Sequence, residues 1–193
     1  LCEDDNVIGK AFFVMRFIRG NTGGFKIVAN CARGHHGDSL AFQLGTELAR
    51  IHAITSDITG TEFLGSTSEN PAKLCIANIR KSLAEVPAPQ PVLELGLRWL
   101  QKTIPNRDEV VLTHRDFRTA NYLVSDDQLA VVLDWEFSGW SDPYEDIGWF
   151  CARCWRFGCI DLEAGGIAKR EVFYGANLIE ETGKFTLEEV DFV

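Results

Sequence analysis

The chain has 193 residues, 46% of them hydrophobic and 24% charged, the proportions of a globular protein long enough for one well-cored domain, which excludes a disordered chain. Lys and Arg number 19 against 28 Asp and Glu, a net charge of −9; with no basic cluster, this argues against a nucleic-acid partner, whose phosphates need grouped cations. No apolar run approaches the roughly 20 residues that span a bilayer, so no membrane partner is expected and the cytoplasm is the expected location.

In chain order, Ala11 to Ile18 (AFFVMRFI) is rich in aromatic and β-branched residues and stops at Arg19, Gly20 and the turn-prone Asn21 to Gly24. It reads as a strand leading to a break. Leu40, Leu44, Leu48, Ile51 and His52 recur at helical spacing behind Asp38, which predicts a core helix over 38–54 with His52 packed at its end. Asn70 and Pro71 open a helix to about Leu83, and prolines 87, 89 and 91 lead to another over 92–103. His35 and His36 lie in a glycine-containing loop with no evident partner.

Val110 to Leu112, Asn121 to Val124 and Leu129 to Leu133 are short apolar runs, the last two separated by the polar turn 125–128. They predict a hairpin that brings Asn121 beside Asp134. Two short strands make no core alone, so the hairpin is expected to lie on a helical body. Asp142, Pro143 and Glu145 have the spacing of an N-cap, first helical residue and capping box, which predicts a helix over 142–157. An amphipathic helix is expected over 169–182, ended by Gly183, and a last one from Thr186.

The segment with chemical content is HRDFRTAN, His114 to Asn121, followed by Asp134. A loop of the form H-R-D-x-x-x-x-N supplies an Asp that accepts the proton of an attacking hydroxyl and an Asn that holds magnesium, and a later Asp holds metal bridging nucleotide phosphates. Magnesium prefers oxygen ligands and takes only one or two from protein, a quota that Asn121 and Asp134 fill. Cys151, Cys154 and Cys159 have a zinc-like CxxC start, but they lie in an apolar helical run with no histidine at ligand spacing. All six cysteines are therefore expected as free thiols. No G-x-S-x-G is present to suggest hydrolysis through a serine.

HRDFRTAN, then LDWE (133–136), then G-x-x-DPxxD (139–146) together resemble the aminoglycoside phosphotransferase and choline kinase family of small-molecule kinases over residues 15 to about 157. The resemblance implies an α+β, protein-kinase-like fold. Residues 1–19 would hold the last strand or strands of a small lobe and the hinge, and residues 20–193 the helical large lobe, with a catalytic loop at 113–121 and a metal-binding hairpin at 121–136. It further implies ATP or GTP and magnesium as cofactors and a small-molecule hydroxyl as the acceptor. Asp116 would be the base, Asn121 and Asp134 the metal ligands, and His114 and Asp146 supports of the catalytic loop. The backbone of Met15, Arg16 and Phe17 would bond the adenine edge, and Glu136 and Trp140 would face the acceptor. CWRFG (154–158) is similar to a branch associated with acyl-CoA dehydrogenases, for which hydroxyacyl thioesters are the implied acceptors, beside aminoglycosides and choline.

The phosphate-clamping lysine of the kinase template is not identified: Lys10 has only Gly9 before it and no glycine-rich loop. The expectation is that the small lobe lies N-terminal to Leu1 and that these residues alone are poorly active. The alternative is a pseudokinase or binding module without turnover, against which stand Asp116, Asn121 and Asp134, all present.

Overall fold

The computed structural model describes residues 2–65, 70–104 and 109–175. The chain opens with one helical turn, α1 (Asp5–Ile8), capped by the Asp4 carboxylate and ended by Gly9 at φ +83°. Two longer helices follow, α2 (Gly24–Gly34) and α3 (Gly37–His52). Next come the pair α4 (Pro71–Ala84) and α5 (Pro91–Thr103), then β1 (Val111–Thr113), β2 (Tyr122–Ser125), β3 (Gln128–Val132), β4 (Gly139–Ser141), α6 (Tyr144–Cys151) and α7 (Arg170–Gly175).

Helix α3 is the centre of the core because its apolar residues repeat every three or four positions and so share one stripe. Leu40, Leu44 and Leu48 are sealed from solvent and belong to one cluster with Phe117, Tyr122, Ile147, Phe150 and Phe173. The Phe150 ring links Phe117 (5.6 Å) to Phe173 (4.6 Å), in the tilted and edge-on geometries aromatic quadrupoles favour. The hairpin β2–β3 lies on this body, as expected, with Tyr122 opposite Val132. Its turn residues Asp126 and Asp127 both have positive φ, +48° and +60°, the conformation that matches a tight hairpin to strand twist and that aspartate tolerates. A second ladder pairs β1 with β4, Thr113 opposite Gly139. The Leu112 amide also bonds the Ile54 carbonyl at 3.0 Å, tying this ladder to the end of α3.

Several expectations change. Residues 11–18 form no strand: among the described residues the segment has only a bridge from Phe12 to Cys2, and Phe13, Val14, Met15 and Phe17 stand in solvent. Strand propensity alone does not make a strand; a ladder partner does, and no described strand runs beside it. The chain instead joins the hairpin edge three residues later, where Asn21 and Val124 exchange backbone hydrogen bonds of 2.9 and 3.0 Å. Helix α2 had no counterpart in the sequence reading, though Ile27, Val28 and Cys31 form its buried side.

Helix α6 ends at Cys151, not near residue 157. Ala152 is extended, and the Arg156 guanidinium donates to the Cys151 carbonyl (2.8 Å) and the Ile160 carbonyl (2.7 Å), replacing helical bonds with a fastened loop. Asp142 does accept from a helix amide, that of Tyr144 at 2.9 Å, but the residue flanking the helix is Pro143, and Glu145 turns to Arg115 (3.6 Å) rather than closing a box. The continuation of α7 to 182 and the last helix from Thr186 lie outside the described residues. The six cysteines are free, and burial with the Asp127 charge nearby pushes the Cys31 thiol up to about 11.

Gly165 shows how tightly the loop before α7 is pressed to the core. It has φ +57°, and a Cβ there would meet Thr119 Oγ1 at 2.4 Å and the Phe150 ring at 2.6 Å. Gly165→Ala is expected to lower stability by about 1–3 kcal/mol, read as a lower urea midpoint; an unchanged midpoint would show that the loop yields freely.

Candidate functional site

The site is built on one fully buried carboxylate, Asp146 on α6. Its two oxygens accept the backbone N–H of His114 (2.8 Å) and of Arg115 (2.7 Å), and His52 Nε2 lies 3.1 Å away. Arg115 sits at φ +63°, a left-handed turn that costs a non-glycine residue and persists where surrounding bonds hold it. Asp146 therefore fixes the entry to the loop, and His52, read from the sequence as a packed histidine, turns out to be part of its support.

His114 fixes the exit. Its Nδ1 accepts the Asp116 backbone N–H at 3.2 Å, and its Nε2 lies 2.8 Å from the Leu133 carbonyl. With one ring nitrogen accepting, the other carries the hydrogen and donates. One buried ring thus bridges the residue carrying the Asp116 carboxylate to the residue just before Asp134. The Trp135 ring packs against it at 4.8 Å.

Asp116 itself is partly buried and crowded with donors. Asn121 Nδ2 donates to its Oδ2 and, at 3.0 Å, to its backbone carbonyl; Arg118 Nε reaches both carboxylate oxygens (3.0 and 3.1 Å), and the Trp149 indole N–H donates to Oδ1 at 2.7 Å. Because the Asn121 nitrogen is committed to Asp116, its Oδ1 is turned elsewhere and accepts nothing among the described residues. The hairpin brings Asp134 alongside, since the Leu133 amide bonds the Asn121 carbonyl at 2.8 Å. Asp134 is exposed, left-handed at φ +68°, and its carboxylate has no hydrogen bond from a described residue.

Two uncommitted hard oxygens at one edge of the hairpin suit magnesium, which takes few protein ligands. No group of three or more His, Cys, Asp or Glu that could cage a metal occurs among the described residues, so a site needing more protein ligands does not fit here.

The other expected residues divide. Met15 and Phe17 are exposed, and the backbone of residues 15–17 makes no hydrogen bond among the described residues, leaving those groups available. Glu136 is exposed beside Asp134. Trp140 is not on an acceptor-facing surface: it is 5% exposed in β4, and its carbonyl receives Arg115 at 3.1 Å. A short strand between a loop and a helix gave no local sign that its aromatic would be packed.

Arg118, Trp149 and Trp155 were not singled out by the sequence reading. The Arg118 guanidinium lies 4.3 Å from the Trp155 ring centroid, and the Trp149 and Trp155 rings meet edge-on at 5.4 Å. Their signal was an arginine two residues past the central aspartate together with two indoles six residues apart, one on α6 and one in the turn that follows it.

A family model described as "Phosphotransferase enzyme family" matches residues 1–181. The chain belongs to the phosphotransferase enzyme family. Among curated proteins it is 25% identical over 153 residues to "Acyl-CoA dehydrogenase family member 10" of Mus musculus, covering 78% of this chain and 14% of that protein. It is 28% identical over 161 residues to "Probable acyl-CoA dehydrogenase IBR3" of Arabidopsis thaliana, covering 78% and 19%. The chain therefore spans less than a fifth of either relative.

Among solved structures, a protein of Ralstonia eutropha JMP134 named "putative aminoglycoside phosphotransferase" superposes with a TM-score of 0.68 at 23% identity, covering 91% of this chain and 57% of that one. The streptomycin–ATP ternary complex of APH(2'')-IIa gives 0.59 at 18% identity, covering 86% and 56%. These likenesses establish the kinase-like fold of this phosphotransferase family member. No helix among its described residues is long and apolar enough to cross a membrane.

Proposed function

We propose that the protein transfers a phosphoryl group from ATP to a hydroxyl of a small molecule, with Asp116 as the base and Asn121 and Asp134 as the magnesium ligands. The observation that carries this reading is the division of labour among the site's oxygens. Asn121 points its nitrogen at Asp116 and keeps its oxygen uncommitted, beside an Asp134 carboxylate that no described residue engages.

Magnesium bound there would neutralise charge on the phosphate oxygens during transfer. The chain's own residues then have the task of positioning. Asp116 holds the acceptor hydroxyl in line and takes its proton at a carboxylate oxygen, and Asn121 and His114 keep that carboxylate at a set distance from Asp134. The backbone of Met15, Arg16 and Phe17, unbonded among the described residues, is available to the nucleobase edge, whether of ATP or GTP. Two curated relatives carry acyl-CoA dehydrogenase in their names, which favours an acyl thioester bearing a hydroxyl over an aminoglycoside or choline as acceptor; exposed Glu136, two residues past Asp134, is assigned to the acceptor side.

Manganese substitutes for magnesium and broadens nearby nuclear resonances. With Mn²⁺ and ATP, the amide signals of Asn121 and Asp134 are expected to disappear first, and Asp134→Ala is expected to remove most of that selectivity. Uniform broadening, or broadening indifferent to Asp134→Ala, would refute the metal assignment.

A further inference from the structure

Asp116 has more donors than a working base can use, while two donors beside it have no acceptor among the described residues. Four N–H contacts converge on its two oxygens, one from Asn121, one from Trp149 and the shared Nε of Arg118 to both. A carboxylate offers about four lone-pair positions, so an acceptor hydroxyl meets an occupied surface. In the same cluster, the partly exposed Arg118 has an Nη2 that makes no hydrogen bond among the described residues, and the Trp155 indole N–H is buried and has no partner among them. Buried donors are normally paired. A ligand oxyanion would give the outer guanidinium nitrogen of Arg118 an acceptor, and would satisfy the Trp155 N–H if the ring moved with the guanidinium stacked on it.

We propose that Arg118 and Trp155 form an oxyanion-binding arm that rests on Asp116 in the free protein and is drawn away by a carboxylate or phosphoryl group of an incoming ligand, uncovering the base. The guanidinium is the side chain whose planar fork matches either group with two parallel bonds. Its stacking on Trp155 at 4.3 Å keeps it oriented when it leaves Asp116. Trp155 is held in turn by the loop that Arg156 fastens through the Cys151 and Ile160 carbonyls.

Arg118 is then a positioning residue that also sets specificity. A ligand with an anionic group near the reacting centre opens the site, whereas a purely cationic one meets like charge and leaves the arm closed. The arm's role rests on Asp116 being the base, but its binding behaviour can be measured without any phosphoryl transfer.

Inorganic phosphate and sodium acetate, titrated separately into the whole chain at constant ionic strength, are the probes, with choline chloride as the cationic control and tryptophan fluorescence as the readout. The expected result is a saturable change with at least one oxyanion and none with choline. Response to phosphate alone identifies a phosphoryl group as the natural trigger, and response to acetate alone a carboxylate. The change should be lost in Arg118→Gln, partly kept in Arg118→Lys, and reduced in amplitude in Trp155→Phe.

Asp116→Asn removes the internal competitor and should tighten oxyanion binding by about fivefold, because a neutral amide holds a guanidinium more weakly than a carboxylate does. Circular dichroism checks that each variant is folded; if Arg118→Gln is not, Asp116→Asn decides, since it leaves the arm intact. No oxyanion response in the unsubstituted protein, a response that survives in folded Arg118→Gln, or unchanged or weaker binding in Asp116→Asn would overturn the arm. Loss of transfer activity alone would bear on the base and leave these measurements standing.

Discussion

Asp116→Asn is expected to lower phosphoryl transfer from ATP by about 100- to 10,000-fold, the usual contribution of a positioned general base. The amide keeps the shape of the carboxylate but offers one acceptor oxygen in place of two, so Asn121 or Trp149 loses its acceptor and Arg118 is held less firmly, and it cannot take the acceptor's proton. Broadening by Mn²⁺ and ATP at Asn121 and Asp134 should persist, which separates a lost base from a lost metal site. Transfer from radiolabelled ATP to a panel of hydroxyacyl thioesters, aminoglycosides and choline measures the effect. Turnover within about threefold of the unsubstituted protein would take Asp116 out of the role, since a base contributes far more than that.

The second large effect concerns stability. Asp146 has no solvent exposure and receives two loop amides, with His52 as a third contact. Asp146→Ala would leave these buried donors without an acceptor, an expected loss of about 3–5 kcal/mol. Domains are stable by only about 5–15 kcal/mol, so the variant should be near the limit of folding. Urea unfolding followed by circular dichroism provides the number. A loss below about 1 kcal/mol, the size of an ordinary single substitution, would mean that water or a shifted loop replaces Asp146 and that the carboxylate is not the anchor described.

Legibility in the sequence followed the range of the interactions involved. The helices α3, α4 and α5 were readable because their signals, an apolar stripe, an asparagine cap and prolines at the start, are contained within a few residues. The hairpin was readable because the polar turn separates two apolar runs. Helix α2 was hidden by its own beginning, a glycine-rich break with no side-chain cap.

In the site, the loop pattern named Asp116 and Asn121, and the resemblance named His114 and Asp146. What surrounds them comes from far along the chain: Trp149 is 33 residues from Asp116, and His52 is 94 from Asp146. Local periodicity has no access to such pairs, and an arginine beside an aspartate is more readily taken for a solvated charge than for a clamp. The run 11–18 erred in the opposite direction, with a strong local preference and no described partner to satisfy it.

The buried ring of His114 makes the interval between Asp116 and Asp134 a fixed length. One imidazole spans from the backbone of the first to the carbonyl preceding the second, so neither can drift without displacing a ring sealed in the interior. The ordering entropy of that pair is settled when the chain folds and is not charged again to each encounter with a ligand. Substitutions at exposed positions such as Glu136 can then accumulate without altering that interval.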